Sequence, residues 1–528
     1  MSLQAGLLNR AWRLACLPGA RRFTAALADP GRVQRQRVME LVHRHGHSAF
    51  GRYHGFTGIT TVEAYRAAVP LHNWNQVSPW IERIRAGERQ VLSSETVTRL
   101  VPTGGSTGGV KLIPWTRGLA RDFAAGIAPW VTDLHASVPG VAGGSAYWSI
   151  SPQIDQMSES VVPVGFDDDS AYLGGALATL VRPLFAVPAA LRHVAEVEAF
   201  RYATVRCLLA RPDLRLLSVW HPSFLALLLD ALLDHRQRLI DDLARGGVSL
   251  PLPAKVIRAM APWLRPAPQR AKQLASVDWN NLRNLWPCLS LVSCWADGSA
   301  ALPAAALQRR MPGIRFQPKG LLATEAAISI PWQGRHVALM TGAVIEFIDA
   351  GGNPRWIDEL IDGDVYEVAL TTGGGLWRYR LGDQVRVEGF VQRTPCLRFC
   401  GRVGVVCDLV GEKLDEGFVA GCLTAVIGSA DFAMLAPNAD GGAGYTLFSD
   451  CQMVSEDLAR LDLALSLNPH WALARRLGQL LPLQAKIVSA DAAAIWIRHR
   501  ATTSQGAVKP CALVADRGWE KLLMTGQR

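Results

Sequence analysis

The sequence predicts an α/β protein, with a large N-terminal domain of mixed β-sheets flanked by helices over residues 1–403 and a small α+β C-terminal domain over 404–528. Two observations carry this expectation. Helix-like and strand-like segments alternate up to "LRFCGRVG" (397–404), as expected when helices pack on the faces of a sheet. Beyond Gly404 the pattern changes, and a further set of helices and late strands follows. At 528 residues the chain is also too long for one simple core.

The elements follow in order. "MSLQAGLLNRAWRLACLPGARRF" (1–23) places its apolar residues at helical spacing without a continuous signal core; its Arg content and lack of acids leave a mitochondrial-type presequence as the competing reading. Residues 32–70 read as helices around the turn "FGRYHGFTGI" (50–59). "SAYWSISP" (145–152) alternates as a strand does and ends in Pro. Around 201–245 come a helix, the strand "LRLLSVW" (214–220) and a long helix with Pro222 in its first turn, where a missing N–H costs nothing. "CLSLVSCWADG" (288–298) is a continuous apolar run, as in a strand buried within a parallel sheet. "GIRFQPKGLLATEAAISIP" (313–331) and "HVALMTGAVIEFID" (336–349) are strand-like. "DGDVYEVALTTGGGLWRYRLGDQVRVEGF" (362–390), β-branched, aromatic and broken by Gly, suggests antiparallel strands. "LARLDLALSLNPHWALARRLGQL" (458–480) is helical.

Composition narrows the function classes. Hydrophobic residues make up 49% and charged residues 19%, a core-forming balance that argues against extensive disorder. The apolar run "FLALLLDALL" (224–233) is too short to cross a bilayer, so no membrane span is expected. Ten Cys without a CxxC pair make neither a disulfide framework nor a zinc site, which fits a reducing cytoplasm. The net charge of +10 is spread as isolated Arg with no basic block among aromatics, so no nucleic-acid partner is expected; an anionic small substrate would use only a few of these charges.

The most informative segment is "TGGSTGGVK" (103–111). As a Walker loop it fails, because Val110 separates Gly109 from Lys111 and Leu112 stands where a hydroxyl should follow. The logic of a phosphate cradle survives. Gly104, Gly105, Gly108 and Gly109 let backbone N–H groups approach an anion, Ser106 and Thr107 add hydroxyls, and Lys111 adds charge. A plain surface turn is the competing reading. His221, in "SVWHPSF", reads as a helix-start residue rather than a base.

The segment's company is distinctive. "TGGSTGGVK" resembles the Thr-Ser-Gly-Ser-Thr-Gly-x-x-Lys loop of acyl-adenylate-forming enzymes. "LLATE" (321–325), "YRLGD" (379–383) and "FCGRVGVVCDLVGEKLDE" (399–416) follow in that superfamily's order. Within it, "FGRYHGF" (50–56), "YWSISP" (147–152), "SVWHPSFLALLLDAL" (218–232), "SCWADG" (293–298) and "NPHWALARRLGQLLPLQ" (468–484) resemble the bacterial members of the auxin-responsive-promoter-like family of acyl-acid amido synthetases.

That resemblance implies the acyl-adenylate-forming fold, with a β-barrel-like portion in the large domain and a mobile small domain acting as a lid. It also implies ATP and Mg²⁺, a carboxylic acid activated as an acyl-adenylate, and an amino acid as acceptor, with no obligate protein partner evident. The alternatives are an acyl-CoA-forming ligase and a non-catalytic small-molecule binder that kept the fold. Mapped onto this sequence, Thr103, Gly104, Gly105, Ser106, Thr107, Gly108 and Lys111 would hold the β- and γ-phosphates. Ala323 and Thr324 would stand beside the α-phosphate, Glu325 would hold Mg²⁺, and Asp383 would accept from the ribose hydroxyls. Arg402 would contact the nucleotide. Lys509, in "TSQGAVKPCAL" (503–513), would neutralise charge during adenylation. Trp148, Met340 and Thr341 would line an apolar acyl cleft, with core packing as the competing role. The chain departs from the superfamily at Gly404, where a hinge Asp is usual, and at Gly104, where Ser is commoner.

Overall fold

The computed structural model describes residues 3–104, 110–150, 160–165, 179–297, 300–402, 406–427, 430, 432–489, 492, 495–496 and 512–524. The chain divides into two compact units, residues 1–102 with 112–401 and residues 103–111 with 402–528. Among the described residues, no helix is long and apolar enough to cross a membrane.

Paired strands β1 (Arg99–Gly104) and β2 (Val110–Trp115) flank the Gly-rich segment. The large unit is then built on two sheets. Strands β3 (Ser145–Trp148), β4 (Leu214–Ser218), β5 (Leu291–Cys294) and β6 (Arg315–Pro318) form a parallel sheet in the order β3-β4-β5-β6. The β4–β5 pair is registered Leu216 to Leu291 and Ser218 to Ser293. All four residues of β5 are buried, which is why this strand reads as an unbroken apolar run. The helices Arg117–Ser137, Val197–Leu209 and Pro222–Asp234 supply the apolar faces around this sheet. The last of these starts as its sequence suggests, with His221 as N-cap accepting from Ser223 N at 3.3 Å and Pro222 in the first turn.

The portion expected to be barrel-like is a seven-stranded sheet. It contains β7 (Ser329–Trp332), β8 (Arg335–Ala338), β9 (Val344–Ile348), β10 (Pro354–Arg355), β11 (Val365–Thr371), β12 (Tyr379–Val391) and β13 (Thr394–Arg402), in the order β10-β9-β11-β12-β13-β8-β7. Along the β11–β12 pair, Glu367 faces Gln384 but Ala369 faces Arg380. β12 therefore takes four steps against two on β11, and the excess falls on Leu381-Gly382-Asp383. Gly382 sits at φ +83°, a conformation that costs Gly little and other residues more. "YRLGD" is thus a bulge inside a strand.

In the second unit, β14 (Val406–Cys407) pairs with β15 (Leu414–Asp415). A three-stranded sheet follows, with β16 (Ala433–Pro437) antiparallel to β17 (Tyr445–Ser449) and β17 parallel to β18 (Gln484–Ile487). Helices Glu416–Ile427, Ser455–Leu465 and Pro469–Arg476 complete the α+β arrangement around Val419, Leu435, Leu447, Leu461 and Trp471.

Among the described residues, Glu412 is the carboxylate buried in this unit's core, with no solvent exposure. It accepts from Leu409 N and Val410 N, both at 2.8 Å, and from the Tyr445 hydroxyl. Burial, followed by the nearby Asp408 charge, raises its pKa to about 7. An unfolded Glu loses its proton near its ordinary value of 4.5, whereas the folded one keeps it to about 7. The folded state therefore binds more protons in that window, and stability falls as pH rises through it. Thermal melts from pH 4.5 to 7 should show this decline, and Glu412→Gln should flatten it; an equal slope in the variant would assign the effect elsewhere.

Candidate active site

The four parallel strands end on one edge of their sheet, and their pairing continues just past it. Ser149 N donates to Ser218 O at 2.9 Å, Val219 N to Ser293 O at 2.9 Å and Lys319 N to Cys294 O at 2.9 Å. Open parallel sheets bind ligands at the carboxyl ends of their strands. Here that edge holds a cavity of about 120 Å³. Phe123, Ile127, Trp130, Trp148, Trp220 and Ile330 give it an aromatic and aliphatic wall, and Ser149, Ser218, Ser329 and Lys319 give it polar points. Gly320 also lines it, and a Cβ there would lie 2.3 Å from Ser329 O, so the backbones meet too closely for any side chain.

Trp148 lies on the cavity wall and packs among aromatic rings. Its ring lies 6.1 Å from Trp12, 5.7 Å from Trp130 and 5.5 Å from Phe185, and it also faces the cavity. Met340 and Thr341 do not line this cavity. They line a separate groove with Arg37, Arg121 and Asp122. The Met340 side chain is buried, and its carbonyl accepts from Gln34 Nε2 at 2.7 Å. β8 ends at Ala338, and Leu339 N donates to Ile328 O at 2.8 Å.

Thr324 and Glu325 lie on the loop joining β6 to β7. Leu322 and Ala327 pair across it, and Ala323 N donates to Ala326 O at 2.9 Å, closing a tight tip. Leu322 and Ala327 both line the cavity, so the tip bearing Thr324 and Glu325 adjoins it. Ala323 and Thr324 are half-buried and Glu325 is buried. Asp383 is buried on the bulge of β12.

In the second unit, Thr103 and Lys111 are buried on β1 and β2, and Gly104 ends β1. Gly105, Ser106, Thr107 and Gly108 lie outside the described residues, as do Gly404 and Lys509. Arg402 ends β13, and its side chain lies outside the described residues. Downstream of Lys509, Ala512 N donates to Glu416 Oε1 at 3.0 Å, and Leu513 pairs with Leu435 of β16.

Sequence reasoning did not single out Lys319, which lines the cavity. It stands in "QPKGLLATE", its Nζ donates to Ser218 Oγ at 2.7 Å, and it lies 5.5 Å from the Trp130 ring centroid and 5.6 Å from that of Trp220. Lys is scarce in this chain, and one placed two residues before the Leu-Leu-Ala-Thr-Glu segment was the available signal.

Comparison with known proteins agrees with this architecture. Residues 19–316 match the GH3 family N-terminal domain, and residues 337–402 match the GH3 family central domain. A probable indole-3-acetic acid-amido synthetase, GH3.1 of Oryza sativa subsp. japonica, is 24% identical over 81% of this chain and 74% of its own. Indole-3-acetic acid-amido synthetase GH3.5 of Arabidopsis thaliana is 23% identical over 74% of this chain and 70% of its own. The solved structure of GH3.15 acyl acid amido synthetase in complex with 2,4-DB shares the fold, with a TM-score of 0.67 at 17% identity over 97% of this chain and 96% of that one. The chain belongs to the GH3 family, the auxin-responsive family of acyl-acid amido synthetases that its motifs resemble.

Proposed function

We propose that this chain is an ATP-dependent ligase that activates a carboxylic acid as its acyl-adenylate and transfers the acyl group to the amine of an amino acid. The observation that carries the proposal is the aromatic cavity at the carboxyl edge of the parallel sheet, adjoining the tip that bears Thr324 and Glu325 in a chain of this family. A carboxylate resists nucleophiles because of its charge and resonance. Conversion to a mixed anhydride with AMP supplies a leaving group, and the protein's part is orientation and charge stabilisation.

The residues fit the roles. Glu325 is a buried hard-oxygen donor, and among the described residues no group of three or more His, Cys, Asp or Glu forms an all-protein cage. That donor set suits Mg²⁺ held by one carboxylate and substrate phosphates, where the ion would neutralise phosphate charge. Asp383 is the acceptor for ribose hydroxyls. Thr103 and Lys111, with the glycine-rich residues between them, are assigned to the terminal phosphates, and Lys509 and Arg402 to the nucleotide during adenylation. The acid lies in the cavity, with Trp148 as one wall. A lid role for residues 404–528, which would exclude water from the anhydride, is what the family resemblance implies.

The test is ATP–pyrophosphate exchange over a panel of aryl, indolyl and aliphatic acids, followed by product analysis with amino acids or CoA. Exchange with at least one acid and amide formation with an amino acid are expected. Thioester formation with CoA and no amide would move the chain to the acyl-CoA ligases. Absence of exchange with every acid would support a binding protein.

A further inference from the structure

We propose that Lys319 is a specificity-determining residue of the acid cavity, which receives the substrate's ionised carboxylate and makes the cavity choose an acid over its neutral analogue. This rests on the reading of the cavity as the acid site.

Lys319 follows β6 directly, and its backbone is fixed by the 2.9 Å bond from its N–H to Cys294 O. Its side chain therefore starts from the rigid carboxyl edge of the sheet. Nζ donates to Ser218 Oγ at 2.7 Å at the end of β4, and the Trp130 and Trp220 rings flank it at 5.5 and 5.6 Å. Trp130 is itself held by a 2.9 Å bond from Nε1 to Gln317 Oε1. The ammonium is thus positioned by groups that do not depend on a ligand.

Among the described residues lining the cavity, Lys319 is the one that bears a charge; the rest are apolar, aromatic, Gly or Ser. An aryl or alkyl acid has matching chemistry, an apolar body for the walls and one anionic end. In such a partly dry site a charge-assisted hydrogen bond is stronger than a neutral one. Ser218 already accepts from Nζ, so its own hydroxyl proton is left to donate to the second carboxylate oxygen or to a serine neighbour. The Thr324–Glu325 tip adjoins the same cavity through Leu322 and Ala327, so a carboxylate held by Lys319 lies on the wall that continues into the proposed reaction site.

The test measures binding without ATP. Benzoate, phenylacetate and indole-3-acetate are titrated calorimetrically into the full chain near neutral pH, each beside its primary amide, which matches it in shape but carries no charge. Wild type should bind at least one acid about tenfold or more tightly than its amide, the range of one charge-assisted hydrogen bond. Lys319→Met should reduce that ratio to about one, while Lys319→Arg should keep most of it. A purely packing role predicts weaker binding of acid and amide alike, with their ratio unchanged. Should Lys319→Met fail to fold by circular dichroism, Lys319→Gln is used in its place. Equal binding of acid and amide by wild type, no binding of any of the three acids, or a ratio that survives removal of the charge would overturn the proposal. Acid binding through Lys319 without pyrophosphate exchange would sink the ligase reading and leave this one standing. Exchange with an unchanged ratio in Lys319→Met would do the reverse.

Discussion

Glu346→Ala should destabilise the large unit by about 3–5 kcal/mol, the cost of leaving a buried charge without its partner. Arg378 is buried and donates to Glu346 through Nε at 2.9 Å and Nη2 at 3.0 Å, while its Nη1 reaches Val69 O at 2.7 Å and Arg66 O at 3.1 Å. Arg66 adds a third bond to Glu346 at 2.8 Å and lies over the Trp356 ring. Removing the carboxylate strands two guanidinium groups. Arg66, part-exposed, can turn to water; Arg378 cannot. Its own backbone holds φ at +46°, and its N–H donates to Thr371 Oγ1 at 3.0 Å. Since domains are stable by only about 5–15 kcal/mol, the loss should appear as a large fall in the denaturant midpoint. Glu346→Leu combined with Arg378→Met should recover much of it, because an apolar pair avoids the desolvation cost. If the single variant melts like wild type, the buried cluster does not hold this sheet.

A functional consequence follows from position. Arg378 directly precedes β12, and the flanking backbone is bonded to His72, with His72 N to Arg378 O at 2.9 Å and Arg380 N to His72 O at 2.8 Å. Asp383 lies on that strand's bulge. Loosening the anchor should therefore also weaken nucleotide binding in molecules that remain folded.

Glu325→Gln should lower pyrophosphate exchange by about a hundredfold or more, in line with loss of one group that stabilises charge in a transition state. Acid binding in the absence of nucleotide should be unaffected, because Leu322 and Ala327 line the cavity while Glu325 occupies the tip between them. Raising Mg²⁺ should restore part of the rate, since a neutral amide oxygen is a weaker ligand for a hard cation than a carboxylate. A variant with wild-type exchange at every Mg²⁺ concentration would remove Glu325 from the reaction.

Much of the fold was legible because its signals are local. The apolar run that contains Leu291–Cys294 read as a strand covered on both faces, and Pro222 after His221 marked a helix start. The bulge at Gly382 was not legible: residues 362–390 read as antiparallel strands broken by Gly, and only the strand register shows that this Gly lies inside a strand. Long-range pairings leave no such trace. Glu346 lies on β9 and Arg378 just before β12, and nothing in their spacing announces a shared ion pair. Met340 and Thr341 show the same limit from the other side: an apolar segment beside a functional loop does not reveal which face its side chains take. Lys319 has no periodicity at all. Its surroundings depend on Trp130 and Trp220, which reach it from a helix and from the segment just after β4, both far away in the chain.

Among the described residues, the cavity draws its walls from four stretches of chain, at Phe123–Trp130, Trp148–Ser149, Ser218–Trp220 and Lys319–Pro331, each rooted in its own helix or strand. Such an arrangement lets evolution retune one panel at a time. A change at Trp148 or Trp220 reshapes a single side of the chamber while the scaffold beneath stays whole, so under the proposed role of this cavity new acids become reachable through isolated substitutions instead of wholesale rebuilding.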